Sequence, residues 1–285
     1  MRDRSSSRGR GEKGKDGGGG GLHGLKGRMR SAGGGYGKWR GGGSLSPDDA
    51  YLSYHDIRLT REDMQTLKND WFTDNIIAFW EEYLEREFLT EYKATNIVLL
   101  RPSMSFMLLQ TPDPRTLREA LPNFSKTTHV FLPINDCHDV VEAEGGTHWS
   151  LLLVSLVDGV AFHYDSLPPG NKSEAGIVAQ KIGRLVGRNL RFVQLNDSPL
   201  QNNSSDCGVF VCLTMRHLLL KRLLRVGSNE KVSMSMSGKA VDARAGRKEI
   251  ARIIEGFRKE GVRRMSMSRS SSPYGKKSTS PPRIE

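Results

Sequence analysis

Four short apolar runs between residues 94 and 167 constrain this chain more than any other feature: ATNIVLLRPS, THVFLPIND, HWSLLLVSLV and GVAFHYDSL. Each is rich in Val, Ile, Leu or Phe and bounded by Pro, Gly, Asn or Asp, the pattern of strands rather than helices. Asp158 and Gly159 separate the last two runs, a turn pair that predicts a hairpin. The chain must therefore build a sheet.

Upstream, the apolar period is helical. In LTREDMQTLKND, Thr60 is an N-cap with Asp63 at the reciprocal capping position. In TDNIIAFWEEYLEREFL, Thr73 caps a helix with Ile76, Ile77, Trp80, Tyr83, Leu84 and Phe88 at helical spacing, so two helices joined at Trp71 are expected. Downstream, SEAGIVAQKIGRLVG predicts a helix with Ile177, Ile182 and Val186 on one side. A strand in LRFVQLND and a long buried helix in CGVFVCLTMRHLLLKRLL follow. Helices, strands, helix, strand and helix in that order favour an α+β domain over a doubly wound one.

The ends have another character. Residues 1–45 contain 17 of the 31 glycines and too little apolar area to offset chain entropy, so they are expected to be a disordered, basic Gly/Arg-rich tail. With Tyr36 and Trp39 interspersed, that tail is a candidate for weak RNA binding. Residues 225–285 are expected to be a basic, mostly disordered extension with a helix near 247–259. Residues 1–44 carry +8 and residues 225–285 carry +9, which leaves −6 for the body within the total of +11. The basic pI thus belongs to the ends, and the folded domain, expected over residues 46–224, is not itself a nucleic-acid binder by charge. Three cysteines form no disulfide framework and no apolar signal region follows the start, which argues for the cytoplasm or nucleus. No apolar run reaches membrane-spanning length, and no cysteine or histidine spacing calls for a metal.

Cys207 stands at a loop-to-helix junction, where unpaired amides and the helix dipole favour a thiolate. Cys212 lies among Val209, Phe210, Val211 and Leu213 and reads as a buried structural thiol, and Cys137 has no partner at metal-binding spacing. A nucleophilic thiol needs an imidazole, and the imidazole needs an acceptor to fix its tautomer. His148 opens a buried strand after Gly145-Gly146, and Asp165 ends the partner strand of the expected hairpin, so the pairing brings them near one another. His163, two residues from Asp165, is a rival for the histidine role. Gln201 precedes Cys207 by six residues in LQNNSSDCG and can offer an amide to an oxyanion alongside the Cys207 N–H.

These residues resemble the ubiquitin-like-protein-specific cysteine proteases, which include the sentrin/SUMO proteases and the deneddylases. SYHD (53–56), WFTDNIIAFWEEYL (71–84), GGTHWSLLLV (145–154), FHYDSL (162–167) and QNNSSDCGVFVC (201–212) carry the likeness in the family's order over about 170 residues. The resemblance implies a papain-like cysteine protease with a central mixed sheet flanked by helices. It makes Cys207 the nucleophile, His148 the base, Asp165 its orienter and Gln201 the oxyanion donor, with no cofactor. It also implies that Trp71 and Trp149 wall a tunnel that admits only a Gly-Gly tail, with Asp74 near its mouth. FLPIND followed by EGGTHWSLL looks more like the deneddylase than the SUMO proteases. The implied substrate is then a Nedd-type modifier, as precursor or as a conjugate on partners such as cullins, handled by a monomer with a lid over Asn135–Gly146. Phe72, Thr73 and Ser205 depart from the family's usual residues. The alternatives are a SUMO protease and, in another class, a modifier-binding scaffold with RNA-associating tails.

Overall fold

A computed structural model describes residues 46–92, 95–141, 145–225, 232–270 and 280–285; the expected tail 1–45 lies outside the described residues. A five-stranded mixed sheet runs β3 (Ile97–Leu99), β4 (His129–Asn135), β5 (Trp149–Ser155), β6 (Val160–Tyr164) and β7 (Arg191–Gln194) in that spatial order. Strands β4, β5 and β6 are antiparallel, and each outer strand joins in parallel.

The expected hairpin forms. Ser155 pairs with Val160, Gly159 takes φ +67° in the turn, and the Asp158 carboxylate accepts from the Ser155 hydroxyl at 2.6 Å. The register runs on to Leu151 opposite Tyr164, so His148 and Asp165 emerge at the same end of the sheet.

All seven residues of β5 are buried because both sheet faces are covered. Trp149, Leu151 and Leu153 face one core, and Leu152 and Val154 face the other, following the two-residue alternation of a strand. The first core holds α2 (Asp74–Glu87) and α5 (Cys207–Leu218), the latter continuing as a π-helical turn over Leu219–Leu223. The second holds α3 (Pro102–Gln110) and α4 (Lys172–Val186). The buried stripe of α4 is Ala175, Val178, Ala179, Ile182 and Gly183. Of the expected Ile177, Ile182 and Val186, only Ile182 is buried, and Ile177 is 37% exposed. The expectation followed side-chain size, whereas the buried face is mostly small residues, and at Gly183 a Cβ would lie 2.7 Å from the Arg188 carbonyl oxygen in the turn that ends the helix.

Before the sheet come β1 (Ala50–Tyr54), β2 (Ile57–Thr60) and α1 (Arg61–Asn69). The reciprocal cap forms, with Thr60 N–H donating to Asp63 at 2.7 Å and Asp63 N–H donating to the Thr60 hydroxyl at 3.2 Å. The second oxygen of Asp63 accepts from the hydroxyl of Thr73, the N-cap of α2, at 2.6 Å. One buried carboxylate thus fixes the angle between two helices and the Trp71-Phe72 segment between them.

The expected end of the folded body at residue 224 needs correction. A 28-residue helix, α6 (Ala243–Ser270), replaces the short helix expected at 247–259. Strand β8 (Arg283–Ile284) pairs in parallel with β1. Met234, Met236, Ile250, Ile254 and Ile284 belong to the first core. The methionines alternate with serines and so carry a weak hydropathy signal, yet their flexible side chains fill the core beside α5.

Candidate active site

Cys207 is the first residue of α5 and is fully buried. The amides of a first helical turn have no intrahelical acceptors, so they present partial positive charge around the sulfur. Gly208 lets this turn lie against Phe72, because a Cβ there would stand 2.7 Å from the Phe72 Cβ.

His148, just before β5, is held at both backbone ends. Its N–H donates to Asp136 at 3.0 Å, and its carbonyl accepts from the Asn171 side-chain amide at 3.0 Å. Gly146 takes φ +96°, and a Cβ there would overlap Asn135 at 2.0 Å, so the approach to His148 requires glycine. The ring Nε2 bonds Asp165 Oδ1 at 2.7 Å, and the Cys207 thiol lies near enough to the ring to favour its charged form. With Nε2 committed to the carboxylate, Nδ1 is left for the sulfur.

Burial works against a charged His148 ring, but the neighbouring Asp165 and Cys207 outweigh it and push its pKa up to about 9. Burial likewise works against the Asp165 carboxylate, and His148 with the Leu167 N–H holds it below the usual aspartate range. Leu167 N–H donates to Asp165 Oδ1 at 2.9 Å. Gly170 closes over the pair: a Cβ there would lie 2.6 Å from His148 Cδ2 and 2.7 Å from Asp165 Oδ2.

The structure therefore brings Cys207, His148 and Asp165 into one contact series. It separates the rival His163, whose ring nitrogens bond Gln194 at 2.6 Å and Ser150 at 2.8 Å and whose pKa burial lowers. Gln201 lies in the loop leading to Cys207, fixed by Ser166 through its backbone N–H at 3.0 Å and its side-chain oxygen at 2.7 Å. Its Nε2 donates to the Asn203 carbonyl at 2.6 Å, so one of its two amide hydrogens is used locally. Trp149 is almost wholly buried, with Nε1 donating to the Phe72 carbonyl at 3.1 Å. Trp71 is half-buried, and its Nε1 donates to the Ser204 carbonyl. Asp74 is the partly exposed first residue of α2. Cys212 is buried, as expected.

Sequence reasoning did not single out Asp136, Asn171 or Gly170, which hold or crowd His148. Their signal was nearness in sequence to His148 and Asp165, in IND and PPGN. Among the described residues, no group of three His, Cys, Asp or Glu is placed to hold a metal ion, and no helix is long and apolar enough to cross a membrane.

A thiol at a helix N-terminus, an imidazole and a buried carboxylate in series on an α+β sheet define the class of thiol-dependent acyl-transfer proteins. The chain belongs to the Ulp1 protease family, whose C-terminal catalytic domain matches residues 70–248. NEDD8-specific protease 2 of Schizosaccharomyces pombe is 34% identical over 72% of this chain and 50% of its own length. NEDD8-specific protease 1 of Arabidopsis thaliana is 33% identical over 61% of this chain and 77% of its own, and human sentrin-specific protease 8 is 34% identical over 58% and 78%. The chain thus spans about half the length of the fission yeast relatives it matches. The fold is also that of the yeast Ulp1 protease domain solved with the SUMO orthologue Smt3, with a TM-score of 0.52 at 21% identity over 72% of this chain and 86% of that one.

Proposed function

We propose that this chain is a cysteine isopeptidase that cleaves after the Gly-Gly end of a Nedd-type ubiquitin-like modifier. Substrates on this reading are the precursor and conjugates such as those on cullins, met as a monomer in the cytoplasm or nucleus. The observation that carries the reading is the Cys207–His148–Asp165 contact series at the start of α5, in a chain whose relatives at 33–34% identity are named for NEDD8.

The Cys207 thiolate attacks the carbonyl of the modifier's last glycine, and the Cys207 N–H with the Gln201 amide holds the oxyanion. His148, protonated at neutral pH, gives its proton to the departing lysine amine. It then takes one from the water that hydrolyses the thioester, while Asp165 keeps Nδ1 aimed at the sulfur. Trp71 and Trp149 restrict the approach to residues without side chains, and Asp74 lies at the entrance. Val140 and Val141, 68% and 88% exposed, offer apolar surface to the modifier's tail; residues 142–144 of the expected lid lie outside the described residues.

The test is hydrolysis of C-terminal fluorogenic conjugates of the Nedd-type modifier, SUMO and ubiquitin by the full chain, with Cys207→Ala as control. Cleavage of the Nedd-type conjugate that vanishes in the variant is the expected result. Preference for SUMO would overturn the substrate, and a folded chain that cleaves none would overturn the activity and leave a modifier-binding scaffold.

A further inference from the structure

Arg247 lies on α6, some forty residues beyond the nucleophile, and only 5% of it is exposed. Its Nε donates to Asp206 Oδ1 and its Nη2 to the Ser205 carbonyl, each at 2.8 Å. Its Nη1 donates to the Thr66 carbonyl in the last turn of α1, also at 2.8 Å. The guanidinium stands 4.9 Å from the centre of the Phe72 ring. Asp206 and Ser205 are the two residues immediately before Cys207. Phe72 is the residue whose carbonyl holds the Trp149 indole and whose side chain meets Gly208.

Two physical effects converge here. The planar fork fixes the loop ahead of Cys207 against α1, so the start of α5 has one position relative to His148. The positive charge also neutralises Asp206. A lone carboxylate one residue from the sulfur would oppose formation of a second negative charge there. Asp206 makes no side-chain cap to α5; its carboxylate is turned onto Arg247 and the Asn203 amide.

We infer that Arg247 is a positioning residue for the Cys207 thiolate, locking the preceding loop and cancelling the charge of Asp206. The inference rests on the protease reading of the Cys207 site, and its test includes a readout that needs no modifier. Full-length wild type, Arg247→Met, Arg247→Lys, Asp206→Asn and the Arg247→Met/Asp206→Asn double variant are compared. The measurements are thermal unfolding, kcat and KM on the Nedd-type fluorogenic conjugate, and site-resolved iodoacetamide alkylation of Cys207 against pH.

In Arg247→Met, alkylation at pH 7 is expected to slow about tenfold, its pH profile to move to higher pH, and kcat to fall more than KM rises. Adding Asp206→Asn is expected to restore the alkylation profile, and Arg247→Lys to keep it while losing part of kcat. Asp206→Asn alone, which leaves the cation unopposed, is expected to alkylate at least as fast as wild type, and it keeps the test open if Arg247→Met does not fold. An unchanged alkylation profile in folded Arg247→Met, no restoration in the double variant, or slower alkylation in Asp206→Asn overturns the inference. If wild type cleaves no conjugate, the protease reading fails while the alkylation comparison still decides the role of Arg247.

Discussion

The imidazole of His148 sits between two groups that both favour its proton, the Asp165 carboxylate and the Cys207 thiol, and its pKa of about 9 gives the site a definite pH range. The folded value lies above the ordinary histidine value of 6.5. Stabilisation from the charged ring is therefore fully present below pH 6.5 and is lost as pH rises through about 9. On the proposed mechanism activity should follow the same limb, because the ring assigned there to protonate the leaving amine loses its proton. We expect kcat/KM of the wild-type chain to decline with a midpoint near pH 9. In Asp165→Asn the limb should move to lower pH and the maximal rate should drop by up to about 10⁴-fold, the loss seen in a serine triad with a wrongly held imidazole. A limb that stays in place in the variant would mean that Asp165 does not set the proton affinity of His148. Gly170 supplies an independent check. An added methyl would stand 2.6–2.8 Å from His148 and Asp165 atoms, so Gly170→Ala should reduce kcat by more than about tenfold by displacing the pair. Gly176→Ala, on the nearby helix with open space around its Cβ position, should leave kcat unchanged.

At the scale of elements, the joint between α1 and α2 carries more than a helix cap. Asp63 serves Thr60 at 2.7 Å and Thr73 at 2.6 Å while buried. Asp63→Ala should therefore cost about 2 kcal/mol, a drop in Tm of roughly 4–8 °C, readable by thermal denaturation. Both caps, both helices and the hairpin were legible in the sequence because their signals are local: a capping pair, a helical period, a turn dipeptide. The His148–Asp165 pairing was legible for the same reason, since a hairpin register determines which strand ends meet. What was not legible depends on contacts between distant segments. Helix α3 starts at Pro102, whose ring suits a first helical position, but its buried side, Ser105, Leu108 and Leu109, mixes a polar residue into a short stripe. The stripe of α4 was misplaced because Ala175, Ala179 and Gly183 make contact by being small. The orientation of the Gln201 amide depends on Ser166 and Asn203, which no spacing rule encodes.

Taken whole, the molecule is closed by the region that composition marks as an extension. The −6 body and the +9 end segment meet through Arg247 and Asp206 at 2.7 Å, through Arg216 of α5 and Glu249 of α6 at 2.5 Å, and through the Tyr51 hydroxyl donating to Glu255. Apolar contact matters more than these charges. Ile250 and Ile254 are fully buried and Met236 almost so, and each such side chain contributes about 1.5–3 kcal/mol. The last strand completes the closure: Ser53 N–H donates to the Pro282 carbonyl at 2.9 Å and His55 N–H to the Ile284 carbonyl at 2.8 Å. Gly261 of α6 permits that close passage, since a Cβ there would lie 2.9 Å from the Arg283 nitrogen. A chain cut after residue 224 would lose the buried side chains of Met234, Met236, Ile250, Ile254 and Ile284 together with Arg247, a loss comparable to the whole stability of a typical domain, about 5–15 kcal/mol. We therefore expect residues 46–224 to show no cooperative thermal transition and rapid proteolysis, while residues 46–285 unfold cooperatively and retain the alkylation profile of Cys207. Removing only residues 280–285 should lower stability by about 3 kcal/mol, from one buried isoleucine and two unpaired amides. Cooperative unfolding of residues 46–224 at the temperature of the longer chain would show that α6 and β8 decorate the domain rather than complete it.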